Sequence, residues 1–231
     1  RELQFSVLPW GAGRFGAVYD QHFHEFYNWI AHGDGARGIV KWDLDTLPPR
    51  EIYVSTEEIP SKVPLEPAVL QYFVDRGNEA NQMALPDMYC GRVGPLPVRV
   101  GPSLWDCRNF PCTNRIQDGQ ISIDLAGNLS HGGIGSAFWR GTPPVAYKGE
   151  IRLHIQSYES DVSHNADFPD DPRDPARLRG VIAHELFHIA YASHPTGNFD
   201  SRYSDSLTSS RHETGLMSRN DKLASCLVYH P

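Results

Sequence analysis

The residues with the clearest chemical potential are two histidines four positions apart with a glutamate between them, in the segment His184-Glu185-Leu186-Phe187-His188. Residues four apart on a helix share one face, so both imidazoles can reach the same metal ion. Glu185 is the next residue round the helix, outside the ligand set but close enough to take a proton from a metal-activated water. We therefore predict that His184 and His188 bind Zn²⁺ and that Glu185 is the catalytic base.

A catalytic zinc site needs a third protein ligand and one open position. His194 follows His188 by six residues, and Asp200 follows it by twelve. A continuous helix would carry His194 about 240° round the axis and about 9 Å along it from His188, so the helix must end before His194 for this residue to bind the same ion. We favour His194 as the third ligand, with Asp200 or another carboxylate as the alternative.

With His194 included, residues 184–194 resemble the metzincin pattern H-E-x-x-H-x-x-G-x-x-H, and the segment Gly215-Leu216-Met217-Ser218 resembles the Met-turn of that family. The resemblance implies zinc endopeptidase activity, three histidine ligands and Met217 beneath the metal. Metzincins have Gly where this chain has Tyr191. Tyr191 must therefore adopt a left-handed conformation, at a cost of about 1–2 kcal/mol, or the turn is built differently.

The metzincin resemblance also implies a place for the substrate. The strand Gly149 to Tyr158 is similar to the substrate-binding edge strand of that family, which precedes the active-site helix. An extended peptide would bind there by backbone hydrogen bonds, as an added strand.

A second resemblance involves residues 196–203, which keep the D-x-x-Y part of the aspzincin motif G-T-x-x-D-x-x-Y but invert its Gly-Thr order. It implies Asp200 as the third ligand and Tyr203 as the group that stabilises the oxyanion. Two other functions stay open, a zinc hydrolase of non-peptide amides or esters and a zinc-stabilised binding module.

The helix that would carry the motif has clear sequence signals. Asp174 is a good N-cap residue, and Pro175 suits the first helical position. An apolar stripe at helical spacing follows, formed by Leu178, Ile182, Leu186 and Ile189. The helix must end by His194, because Pro195 disfavours helical geometry in the residue before it.

Other elements follow from shorter patterns. The two runs 121–125 and 151–155 alternate apolar and polar residues, which predicts two half-buried strands. We also predict strands at 51–55 and 97–100 and helices at 17–32 and 66–81. Together with the resemblance, these elements indicate an α/β (α+β) metzincin-like zincin domain with a mixed twisted sheet, an active-site helix and a short C-terminal lobe. Residues 1–45 would be an N-terminal elaboration and residues 46–231 the catalytic domain.

The composition of the chain limits the classes of partner that it could bind. A net charge of −7 over 231 residues argues against nucleic acid, and no apolar run is long enough for a membrane span. The four cysteines lack C-x-x-C spacing, so we expect two disulfides and an oxidising compartment. Because the chain opens at Arg1 without a leader, we expect that a signal peptide or propeptide has been removed or that the chain was trimmed. These features predict a secreted monomer that acts on a protein or peptide.

Overall fold

A computed structural model describes Tyr27, Ile30, Ala31 and residues 39–106, 113–126, 133–154, 173–194, 206–208 and 216–229, with the backbone alone for 173–177. The strands are β1 (Lys41–Trp42), β2 (Glu51–Ile59), β3 (Val98–Gly101), β4 (Trp105–Asp106), β5 (Thr113–Asn114), β6 (Gln120–Ala126), β7 (Gly133–Arg140) and β8 (Val145–His154). The helices are α1 (Pro67–Met88), α2 (Arg173–Ala190) and α3 (Arg219–Tyr229). The predicted α/β class is confirmed. The predicted helix 17–32 lies mostly outside the described residues, and the domain division at residue 45 stays a prediction.

The main sheet is mostly parallel, with the order β1-β8-β6-β2-β3. Strand β7 pairs antiparallel with β8, while β1 and β6 pair with the opposite edge of β8. The prediction of an edge strand from Gly149 to Tyr158 is therefore wrong for residues 149–154, because β8 has neighbours on both edges there. Residues 155–158 lie outside the described residues. Strand β7 is the outermost strand of the described sheet on this side.

The prediction that buried and exposed side chains alternate along β6 is also wrong. Ser122 and Asp124 are as completely buried as their apolar neighbours Ile121, Ile123 and Leu125. The reason is that both faces of this central strand are covered: α1 packs on one face, and the segment containing Ser103 covers the other through a bond to Asp124 Oδ1. A half-buried pattern holds for strands with one solvated face, which β6 lacks.

Helices α1 and α2 pack on the same face of the sheet. A Cβ placed on Gly77 of α1 would lie 3.6 Å from Ile123 of β6, and one placed on Gly149 of β8 would lie 2.5 Å from Ile189 of α2. The absence of a side chain at Gly149 thus lets α2 approach the sheet closely. All four members of the predicted apolar stripe, Leu178, Ile182, Leu186 and Ile189, are buried there.

Helix α1 ends at Met88, seven residues beyond the predicted end at Asn81, and contains Pro86. Asn81 does not cap the helix, because its buried side chain binds both the N–H and the C=O of Leu96. Burial of Leu85 and Met88 stabilises the additional turns despite the missing N–H of the proline. Two residues after the end of the helix, Cys90 has a positive φ of 53°.

A disulfide joins Cys90, just after α1, to Cys226 in α3. This confirms one of the two expected bridges, and Cys107 and Cys112 lie outside the described residues. Within the described parts of the chain, no helix is long and apolar enough to cross a membrane.

Candidate metal centre

The side chains of His184 and His188 meet because they lie one turn apart on α2. Their Nε2 atoms are 3.0 Å apart, and their rings are nearly perpendicular. Between them in sequence, Leu186 and Phe187 are buried in the core. The apolar residues therefore fix the rotation of α2, and that rotation turns both histidines to one side.

The third histidine joins the pair because α2 ends at Ala190. The N–H groups of Tyr191 and Ala192 both donate to Phe187 O, and the N–H of Ser193 donates to Ile30 O, which draws the chain away from the helix axis. His194 Nε2 lies 3.1 Å from His188 Nε2.

Tyr191 makes this turn without left-handed geometry, since only Lys62 and Cys90 have positive φ among the described non-glycine residues. Its buried side chain packs edge-on against Phe187 and Tyr229, and its hydroxyl lies 3.1 Å from Ser225 Oγ. Packing of the tyrosine side chain thus holds the turn at the position where metzincins have glycine.

Each histidine of the cluster has a backbone carbonyl opposite its Nδ1 atom. His184 contacts Leu207 O at 2.7 Å, His188 contacts Ala192 O at 2.8 Å and His194 contacts Thr208 O at 2.9 Å. A carbonyl can only accept a hydrogen bond, so each neutral ring carries its proton on Nδ1 and its lone pair on Nε2. Three lone pairs therefore converge on one point.

This donor set fits a metal ion. Two nitrogens about 2.0–2.1 Å from a zinc ion at a tetrahedral angle lie roughly 3.4 Å apart, close to the observed 3.0 and 3.1 Å. The three ligand atoms all lie within 4.8 Å of one another. His194 is exposed to solvent, so the cluster is open on that side. The cluster can thus hold a metal ion, and imidazole ligands suit zinc as well as copper, iron and nickel.

The electrostatic environment also favours ligand histidines. Burial lowers the pKa of His188 to about 3, and repulsion from His184 and His194 contributes further. A histidine that resists protonation keeps its lone pair available to a cation at neutral pH.

Glu185 lies almost completely buried beside the cluster, with 6% of its surface exposed. Burial raises its pKa to about 7, and a hydrogen bond from the N–H of Gly135 in β7 opposes this rise. A Cβ placed on Gly135 would lie 2.6 Å from Glu185 O and 2.9 Å from Glu185 Oε2. A carboxyl group with a pKa near neutrality can both accept and return a proton.

Strand β7 therefore contacts the proposed base directly, which the sequence analysis did not predict. The signal was present, since Gly133 and Gly135 are alternate residues of one strand and glycine in a strand often marks a close backbone approach. A Cβ on Gly133 would also come within 3.2 Å of Glu185 Oε1.

The remaining predicted site residues are Asp200, Tyr203 and Met217. Asp200 and Tyr203 lie outside the described residues. Met217 is buried, in the segment that leads into α3. Its role as a Met-turn residue stays a prediction.

Comparisons with protein-family models, with curated proteins and with solved structures gave no match to this chain. The chain has an α/β fold and a three-histidine cluster that could bind a metal ion. Membership of the metzincins stays a prediction.

Proposed function

We propose that this chain is a secreted zinc-dependent endopeptidase, with His184, His188 and His194 as the zinc ligands and Glu185 as the general base. One observation carries the proposal: His188 Nε2 lies 3.0 and 3.1 Å from the Nε2 atoms of His184 and His194, and a buried glutamate lies beside the three histidines. Three neutral nitrogen ligands leave one position open, which distinguishes catalytic zinc sites from closed structural ones. The disulfide between Cys90 and Cys226 agrees with an extracellular protein.

The chemistry assigns two tasks to Glu185. Zinc in this site would lower the pKa of a water molecule and polarise the scissile carbonyl. Glu185 accepts a proton from the attacking water and then gives it to the leaving amine. The N–H of Gly135 holds the carboxylate in place between the two transfers.

The outer edge of β7 favours a peptide as the substrate. Among the described strands, β7 pairs with β8 alone, so its other edge has backbone groups available to an extended chain. The N–H of Gly135 in the same strand donates to Glu185, and a Cβ placed on Gly133 would lie 3.2 Å from Glu185 Oε1, so a peptide paired with β7 would pass the base. Ile134 and Trp139 are exposed on β7 and offer apolar surface to substrate side chains.

The test compares Glu185→Gln with the wild type and with Glu66→Gln, a change at an exposed residue before α1. Each purified protein is analysed for bound zinc and for cleavage of casein or gelatin. Loss of the base should reduce cleavage about 10²- to 10⁴-fold while zinc content stays the same. Glu66→Gln should match the wild type, and chelation should abolish cleavage in both.

The alternatives predict different results in this experiment. A hydrolase of non-peptide amides or esters would leave casein intact yet hydrolyse a small ester with the same dependence on zinc and Glu185. A zinc-stabilised binding module would unfold on chelation and show no hydrolysis with either substrate. Undiminished casein cleavage by Glu185→Gln contradicts the proposed mechanism.

A further inference from the structure

Two of the three histidines are oriented by one short segment, residues 206–208. Leu207 O accepts from His184 Nδ1 at 2.7 Å, and Thr208 O accepts from His194 Nδ1 at 2.9 Å. Ser206, Leu207 and Thr208 are completely buried. The position of this segment therefore determines where two of the three Nε2 lone pairs point.

The segment is held in turn by Asp221, a fully buried carboxylate in the first turn of α3. Leu207 N donates to Asp221 Oδ2 at 2.8 Å, and Ser206 Oγ donates to Asp221 Oδ1 at 2.7 Å. Since the hydroxyl proton of Ser206 is used in this way, Ser206 Oγ accepts from Thr208, whose N lies 3.3 Å away and whose Oγ1 lies 3.1 Å away.

These bonds form a continuous connection from a ligand to the carboxylate. His184 Nδ1–H binds the carbonyl of the peptide group between Leu207 and Thr208, and the N–H of the same peptide group binds Ser206 Oγ. The Ser206 hydroxyl then donates to Asp221. Hydrogen bonds in such a chain polarise one another, so the negative charge of Asp221 strengthens the acceptor opposite His184.

Capping the start of α3 does not by itself explain why Asp221 is buried. Ser218 and Asp221 form a reciprocal cap, in which Asp221 N donates to Ser218 Oγ at 3.1 Å and Ser218 N donates to Asp221 Oδ2 at 2.9 Å. An exposed carboxylate would serve for this cap. Burial raises the pKa of Asp221, and the hydrogen bonds from Leu207, Ser206 and Ser218 oppose the rise. The buried position of Asp221 and its bonds to Ser206 and Leu207 instead hold residues 206–208, the segment that orients the two histidines.

We propose that Asp221 is a positioning residue of the zinc site, which fixes the Nδ1–H tautomer and the ring orientation of His184 and His194 through residues 206–208. The inference rests on the proposed function only in taking zinc as the ion that the cluster binds. Partners outside the ligand set typically change metal affinity 10- to 100-fold, because they orient the ligands and raise their basicity.

The experiment measures zinc affinity, by competition with a chelator, in the wild type, Asp221→Asn and Ser55→Ala. Ser55 is a matched control because its side chain is also fully buried and hydrogen-bonded, but its hydroxyl donates to Glu57 O within β2. Asp221→Asn replaces one acceptor oxygen by an NH₂ group, so one of its donors loses its partner. We expect zinc to bind about 10- to 100-fold more weakly to Asp221→Asn and within about 3-fold of wild type to Ser55→Ala. Unchanged affinity in Asp221→Asn, or an equal loss in Ser55→Ala, overturns the proposal.

A second readout needs neither zinc nor activity. The ring ¹⁵N shifts of the zinc-free chain report which nitrogen carries the proton, and we expect Nδ1–H at His184 and His194 in the wild type and a mixture in Asp221→Asn. If Asp221→Asn does not fold, Ser206→Ala takes its place, because it breaks the connection to Thr208 and leaves Asp221 bound to Leu207 N. Wild-type tautomers and zinc affinity in Ser206→Ala overturn the proposal. A wild-type chain with the expected tautomers but no casein cleavage contradicts the proposed function and not this inference.

Discussion

Gly135 is the residue outside the metal ligands on which Glu185 most directly depends. Its N–H donates to the carboxylate, and a side chain at this position would clash with Glu185 O and Oε2, at 2.6 and 2.9 Å. Either β7 or Glu185 would have to move. A displacement of the base by about 1 Å can reduce the rate about 100-fold.

We therefore expect Gly135→Ala to reduce casein cleavage by roughly 10- to 100-fold without loss of bound zinc. The matched control is Gly94→Ala, because a Cβ at Gly94 has no atom within 4 Å. Cleavage rate and zinc content are measured for both variants. A Gly135→Ala variant as active as Gly94→Ala would mean that the close contact does not hold the base.

Two single substitutions distinguish the two candidates for the third zinc ligand, His194 and Asp200. We expect His194→Ala to bind zinc at least about 100-fold more weakly, because one of three donors is lost, and Asp200→Ala to bind it as the wild type does. Zinc per chain is measured after dialysis against a chelator series. The reverse result would assign the third ligand to Asp200 and favour the aspzincin resemblance.

The C-terminal end of α2 shows how neighbouring elements hold the site. Trp42 Nε1 of β1 donates to Ile189 O at 3.1 Å, and the hydroxyl of Tyr229 in α3 donates to Ala190 O at 2.5 Å. The last carbonyls of a helix lack intrahelical partners, so these two side chains satisfy groups that would otherwise be buried and unpaired. The helix can thus end within the core, four residues before His194.

Tyr229→Phe should lower the free energy of unfolding of the zinc-free chain by about 1–2 kcal/mol, because it leaves the buried Ala190 carbonyl without this donor. The matched control is Tyr53→Phe, which removes an exposed hydroxyl bond to Pro102 O. Urea unfolding monitored by circular dichroism gives both values. Equal, small losses in the two variants would contradict a role of Tyr229 in capping α2.

For the molecule as a whole, the disulfide connects parts of the chain 136 residues apart. It joins Cys90, two residues after α1, to α3, the helix that carries Asp221 and Tyr229. Replacing Cys90 and Cys226 together by serine should destabilise the fold by about 2–5 kcal/mol, because the unfolded chain gains freedom. Guanidinium unfolding of the double variant is compared with that of the reduced wild type, and a stability equal to that of the oxidised wild type would contradict this expectation.

Buried carboxylates also make the stability of the whole molecule depend on pH. Burial raises the pKa of Asp124 above 3.8 and that of Glu150 above 4.5. The folded state therefore binds more protons than the unfolded state between the ordinary and the raised pKa values, and its stability falls as pH rises through that window.

Asp124→Asn removes one of these groups, so its stability relative to the wild type should rise with pH above about 4, by about 1.4 kcal/mol for each unit by which the pKa is raised. Thermal unfolding at a series of pH values tests this. Asp118→Asn is the control, since Asp118 is exposed and pairs with Arg140. A difference between Asp124→Asn and the wild type that does not change with pH would contradict the assigned cause.

The sequence by itself determined the local features of this protein. The spacing of His184 and His188, the stripe from Leu178 to Ile189 and the alternation in β6 depend on residues a few positions apart, whose geometry is set by helix or strand periodicity. Patterns of this kind predicted α2, two members of the histidine cluster and the strand positions. They could not predict that α1 continues past Asn81, because a bond to Leu96 and the burial of Met88 decide it.

The tertiary structure decided everything that depends on distant segments coming together. The return of His194, the contact of Gly135 with Glu185 and the connection from Asp221 to the histidines each join residues that are separated in sequence or divided by a turn. Their relative positions follow from how the sheet, α2 and α3 pack, and packing depends on the whole core and not on any one window of sequence. The motif thus marked two histidines and a glutamate as a candidate site, and the fold supplied the third nitrogen and the groups that hold all of them in place.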